Sequence, residues 1–73
     1  MNKEILLLKT VPHNYDDIRG ISIVLDNHAC IAGWNIDLDD CDKILRIESK
    51  GLEISEIINL LRKIGVWAEE LLD

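Results

Sequence analysis

His13, Asp16 and Asp17 lie close together near the start of the chain, and a second acidic group, Asp39, Asp40 and Asp42, surrounds Cys41. Imidazole, carboxylate and thiolate side chains are ligands for a borderline divalent ion such as Zn²⁺ or Ni²⁺. His13, Asp16 and Cys41 are therefore the candidate metal donors, provided the fold brings the two stretches together. The competing reading is two solvated turns whose Asp side chains cap and shape the backbone. His28 and Cys30 form an H-x-C pair, but two donors without further thiols or imidazoles do not make a closed site, and a small half-buried Cys is common. As a catalytic base, His13 lacks an evident nucleophile: Ser22, Ser49 and Ser55 occupy helix or strand-end positions with no glycine-rich elbow around them. The residues point to a chain that is not an enzyme and holds no cofactor, with zinc or a similar ion as the alternative.

The length sets what can hold such residues in place. At 73 residues there is room for one domain, spanning 1–73, and a chain of this size buries only ~60% of its unfolded surface. The hydrophobic fraction of 48% with no Phe calls for a small aliphatic core, and charged residues at 30% suffice to cover it. A formal charge of −6 opposes binding to nucleic acid or to an anionic membrane, which need clustered Lys and Arg. The apolar run Ile5 to Leu8 is far short of the ~20 residues that cross a bilayer and lacks a signal-peptide cleavage pattern. A cytoplasmic setting is expected. Cys30 and Cys41 then remain reduced, the more so because about ten strand residues, ~30 Å, separate them along a β-hairpin.

That hairpin, Ile31 to Ser49, is the clearest architectural statement in the chain. Trp34, Ile36 and Leu38 alternate with Asn35 and Asp37, and after the acidic cluster Leu45 and Ile47 alternate with Arg46 and Glu48. Two half-buried strands are thus joined by a short polar connection. Upstream, Glu4 to Thr10 reads as a strand buried on both faces, closed by Pro12. TVPHNYDD, residues 10–17, is a loop, with Asp16 or Asp17 as the N-cap of a helix that carries Ile18, Ile21, Val24 and Leu25 on one face and ends near Asn27 or His28. Gly20 weakens that helix by roughly 1 kcal/mol relative to Ala. Downstream, Leu52 to Ile64 forms an amphipathic helix with Gly65 as its left-handed stop, and Val66 to Leu71 supplies a last strand.

The order β, α, β, β, α, β, with right-handed crossovers, gives an α+β fold: the ferredoxin-like βαββαβ plait, a four-stranded antiparallel sheet in the order 4-1-3-2 with two helices on one face. This topology puts the loop after strand one, the hairpin turn and the Gly65 turn at one pole. His13 and Cys41 then start about 10 Å apart, because strand three lies between strands one and two.

From Ile31 through Glu69 the chain resembles the heavy-metal-associated domain, the small copper-chaperone-like module. WNIDLDDCDKILRIES resembles its second and third strands, and ISEIINLLRKIGVWAE its second helix, glycine turn and last strand. The resemblance implies the same plait. It also implies an M-x-C-x-x-C loop after strand one, where this chain has TVPHNYDD. The family's cysteines fall near His13 and Asp16 if the loop is aligned without gaps from Trp34, or near Asn14 and Asp17 if the first helix is aligned by its apolar face. Neither alignment supplies a thiol, and Val66 stands where the family often has Tyr or Lys. Copper(I) prefers soft thiolates, so the resemblance implies a scaffold kept and its usual cargo lost or held weakly.

What is left for function is surface. With helices on one face only, the other face of the sheet is open. If Val66 and Ala68 face the helices, Trp67 and Leu71 lie on the open face beside two strand-one leucines, rimmed by Arg46, Glu48 and Glu69. A slip of one residue reverses every side chain and makes Trp67 core. The expected function is a non-catalytic protein-interaction module binding a protein partner or itself through Trp67, Leu71, Arg46 and Glu69. The alternative is a divalent metal-binding or trafficking protein using His13, Asp16 and Cys41.

Overall fold

Leu6, Leu8 and Thr10 turn to one side of the first strand and are half-buried or buried, whereas Ile5, Leu7 and Val11 turn to the other and are exposed. The computed structural model, which describes residues 3–39 and 43–71, thus shows a strand covered on one face. The expectation of burial on both faces is corrected: a central strand in a sheet with helices on one side has one covered face, however continuous its apolar run.

The elements are β1 (Glu4–Val11), α1 (Tyr15–Asp26), β2 (Ile31–Ile36), β3 (Ile44–Ser49), α2 (Ile54–Lys63) and β4 (Trp67–Glu70). They form one antiparallel sheet in the order β2-β3-β1-β4, which is the expected 4-1-3-2 counted from the other edge. β1 pairs with β3 from Glu4 opposite Ser49 to Lys9 opposite Ile44, and with β4 from Leu8 opposite Glu70 to Val11 opposite Trp67. β2 pairs with β3 through an irregularity between Ile31 and Gly33. β2 ends at Ile36, so Leu38, expected on its buried face, lies beyond it and is exposed.

Between sheet and helices sits an aliphatic core: Leu8, Leu45, Ile47 and Ala68 from the strands, Ile21 and Leu25 from α1, Ile57 and Leu61 from α2, and Leu52 and Val66 flanking α2. The two helices approach closely at Gly20, where an added Cβ would lie 3.2 Å from Ile64 Cδ1. α2 ends in a Schellman motif. Gly65 takes φ +81°, its N–H donates to the Arg62 carbonyl and the Val66 N–H to the Leu61 carbonyl, while Leu61 and Val66 pack together in the core. This helix end sets the phase of β4: with Val66 buried, Ala68 is buried and Trp67 faces outward. No helix among the described residues is long and apolar enough to cross a membrane.

Candidate functional site

Two regions carry the candidate residues. The first is the pole where β1 ends. The N-cap of α1 is Asn14, not Asp16 or Asp17. Its side-chain oxygen accepts from the Asp17 N–H at 3.0 Å, and Asp17 Oδ2 accepts in turn from the His13 N–H at 2.7 Å. Asn wins because a cap residue needs extended backbone, and Asn14, at φ −161° and ψ −178°, is where the chain turns from loop to helix. Asp17 is thereby committed to the backbone, while Asp16 and the His13 side chain are exposed.

His13 shares a shallow concavity of ≈ 260 Å³ with Pro12, Asn14, Tyr15, Ile18, Leu38 and Lys43. Leu38 and Lys43 flank the hairpin connection, so the fold brings the loop after β1 alongside it, as the topology requires. Lys43 has a positive φ of 46°, and its carbonyl accepts from both the backbone N–H and the hydroxyl of the buried Thr10, at 3.3 and 2.8 Å. These bonds clip the hairpin to the end of β1. Asp40, Cys41 and Asp42 lie outside the described residues. Among the described residues no group of three or more His, Cys, Asp or Glu side chains is placed to hold a metal ion.

His28 and Cys30 are placed together, but in a turn: His28 Nδ1 accepts from the Cys30 N–H at 3.1 Å. Nearby, Trp34 Nε1 donates to Asp26 Oδ1 at 2.7 Å, and Asp26 Oδ2 accepts from Ser22 Oγ at 3.1 Å, which ties the end of α1 to β2.

The second region is the open face of the sheet. Val11 and Trp67, directly paired across β1 and β4, are 49% and 58% exposed, and beyond Lys9 on the same face of β1 Ile5 and Leu7 are 46% and 38% exposed. The Leu71 N–H donates to the Leu7 carbonyl, which places the half-buried Leu71 beside it. Polar residues are interleaved: Lys9 lies between Ile44 and Glu69, Arg46 between Asn35 and Leu7, and Glu48 opposite Ile5. Arg46 and Glu48 form an ion pair at 3.5 Å. Trp67, Leu71, Arg46 and Glu69 are thus brought to one face. Sequence reasoning missed Ile5, Lys9, Val11 and Ile44. The signal was the period of two in β1, hidden by apolar residues at every position from Ile5 to Leu8.

No family model matches the chain, and no curated protein matches it. Among solved structures, the chain is similar to the copper(I)-loaded form of the first domain of the human copper chaperone for SOD1, with a TM-score of 0.79 at 16% sequence identity, over 96% of this chain and 94% of that one. At that identity the two share a fold. The shared βαββαβ fold extends over nearly the whole of this chain, including its first third, where the sequence resemblance did not reach.

Proposed function

We propose that the chain is a non-catalytic protein-interaction module, built on a metallochaperone scaffold without its paired thiols, that engages a protein partner or a second copy of itself through the open face of its sheet. The observation that carries this reading is the cross-strand pair of Val11 and Trp67, both turned outward, with Leu7 and Leu71 on the same face beyond the Lys9 and Glu69 pair. Exposed apolar residues that include a Trp and are interleaved with charge fit the composition of a protein contact. At the pole, residues 10–17 hold no cysteine, so a soft, low-coordinate site for copper(I) has no donors there. The copper(I) of the similar solved domain is a property of that domain. A cytoplasmic setting suits this reading, since Cys30 and Cys41 are proposed to serve as ordinary reduced thiols.

One observation favours the rival reading of divalent-ion binding through His13, Asp16 and Cys41: His13 shares its concavity with residues on both sides of the hairpin connection. Native mass and metal content of the chain isolated from cells separate the two. The interaction reading expects an assembly whose mass changes in Trp67→Ala and is indifferent to added metal. Binding of Zn²⁺, Ni²⁺ or Cu⁺ tighter than about 1 µM, abolished by His13→Ala or Cys41→Ser, would replace it with the metal-binding reading.

A further inference from the structure

The sheet has two outer edges, β2 and β4, and they are not alike. The β2 edge is broken by the irregularity between Ile31 and Gly33, and the Ile31 N–H is taken by the His28 carbonyl; such a break protects an edge from pairing. The register of β4 on β1 is unbroken. The Leu71 N–H donates to the Leu7 carbonyl, and the Thr10 N–H turns the other way, to the Lys43 carbonyl. Direction alternates along an antiparallel ladder, so Trp67, Glu69 and Leu71 bond to β1, while the N–H and C=O groups of Ala68 and Glu70 point away from the sheet. The side chains of these two residues lie on the helix-covered face: Ala68 is buried, and Glu70 pairs with the buried Leu8. Over the same edge, α2 and the start of β4 enclose a concavity of ≈ 220 Å³ lined by Ile58, Arg62, Gly65, Val66, Trp67 and Ala68.

Charge selects the strand that fits this edge. Two copies that add their β4 edges antiparallel are related by a two-fold axis, which falls at one residue of the strand. An axis at Glu69 or Glu70 sets that carboxylate directly against its own copy, and like charges opposite each other oppose pairing. An axis at Trp67 needs the Val66 N–H, which is already given to the Leu61 carbonyl. An axis at Ala68 has neither fault. The two Ala68 residues exchange both backbone bonds, and Glu70 of each copy falls opposite Val66 of the other, at the concavity where Arg62 stands. Arg62 and Glu70 are both exposed, and neither has an ion-pair partner among the described residues. The acid of each copy thus meets the cation of the other, twice. On the open face, Glu69 keeps Lys9 as its cross-strand neighbour, and the two Trp67 residues become diagonal neighbours at ~7–8 Å, within reach of aromatic side chains.

We infer that two copies of this chain join edge to edge through β4, with the two-fold axis at Ala68 and Arg62 of each copy paired with Glu70 of the other. The pairing leaves the open face of both copies free, so it stands apart from the docking reading of that face. β4 has four residues, and so short an edge gives weak, concentration-dependent association. Sedimentation velocity of the purified chain alone, from about 10 µM to about 1 mM, brackets that range. The weight-average sedimentation coefficient is expected to rise with concentration, and amide exchange at Ala68 and Glu70 to slow with it. Glu70→Arg sets a cation against Arg62, and Arg62→Glu sets an acid against Glu70. Each is expected to weaken association by at least about tenfold, Glu70→Arg doing so although it reduces the net charge of −6 that drives copies apart. An equimolar mixture of the two variants opposes unlike charges at both contacts and is expected to recover wild-type association.

Unchanged thermal melting of each variant checks that its fold is intact, and if a variant does not fold, amide exchange of the wild-type chain decides alone. A wild-type chain that stays monomeric throughout, or association that leaves exchange at Ala68 and Glu70 unchanged, overturns the edge pairing. Glu70→Arg associating as tightly as wild type, or a mixture that does not recover, overturns the axis at Ala68 and with it the inference. Each of these results leaves the open-face reading to its own test, the native mass of Trp67→Ala.

Discussion

Ser49 is buried to 0% exposure at the end of β3, and its Oγ has no hydrogen-bond partner among the described residues. A hydroxyl withdrawn from water and left unpaired costs ~1–3 kcal/mol. Ser49→Ala keeps the strand and removes that cost, so it is expected to raise the unfolding free energy by about 1 kcal/mol in urea denaturation, the lower end of the cost of burying an unpaired hydroxyl; a loss of stability would mean the hydroxyl is satisfied. Gly20 shows the opposite balance. An Ala there gains about 1 kcal/mol of helix propensity but places its Cβ 3.2 Å from Ile64 Cδ1, the free end of a flexible side chain. Gly20→Ala is expected to be neutral to within about 0.5 kcal/mol in the same assay, whereas Gly20→Leu forces the helices apart and costs about 1–3 kcal/mol.

The start of α1 depends on two side chains that cap in opposite directions. Asn14 takes the Asp17 N–H, and Asp17 takes the N–H of His13. Asn14→Ala is expected to cost about 1 kcal/mol, measured as a lower urea midpoint with an unchanged denaturant slope. Asp16→Ala, at an exposed position, is expected to move stability by less than about 0.5 kcal/mol. An equal loss at both positions would show that first-turn charge, not capping, sets the start of this helix. The same element explains why Asp17 is a poor candidate for ligand work: one of its oxygens already holds the backbone.

Over the whole molecule, the fold is shared with a solved copper-chaperone domain, and the pole holds an exposed loop entering a capped helix. Of the two positions at which the sequence resemblance would align the family's cysteines, His13 with Asp16 leaves the Asn14 and Asp17 cap intact, and Asn14 with Asp17 destroys it. The double substitution His13→Cys with Asp16→Cys is therefore expected to confer copper(I) binding in competition with a chromogenic chelator, with little change in melting temperature. Asn14→Cys with Asp17→Cys is expected to lose helix stability by about 1–2 kcal/mol, on the scale of a lost cap. Failure of the first pair to bind copper would show that the pole differs from a chaperone loop in more than its sulfurs.

Local pattern was enough for much of this architecture. The alternation around Trp34 and Ile47, the apolar stripe of α2 and the position of Gly65 are each short-range features, and they define the hairpin, the second helix and its stop. Their order then allows few topologies, so the strand order was readable from the chain. The cap of α1 was misplaced because Asn14, Asp16 and Asp17 all have capping side chains, and the choice among them depends on where the loop leaves β1. Whether Trp67 is core or surface was open in the sequence, since a strand's two faces differ by one residue in phase. That phase is decided by the Schellman turn locking Val66 into the core beside Leu61. In the same way, a continuous run from Ile5 to Leu8 does not say which of its faces is covered. Only the placement of both helices on one side of the sheet does, because burial is a property of what packs against a side chain and not of the side chain itself.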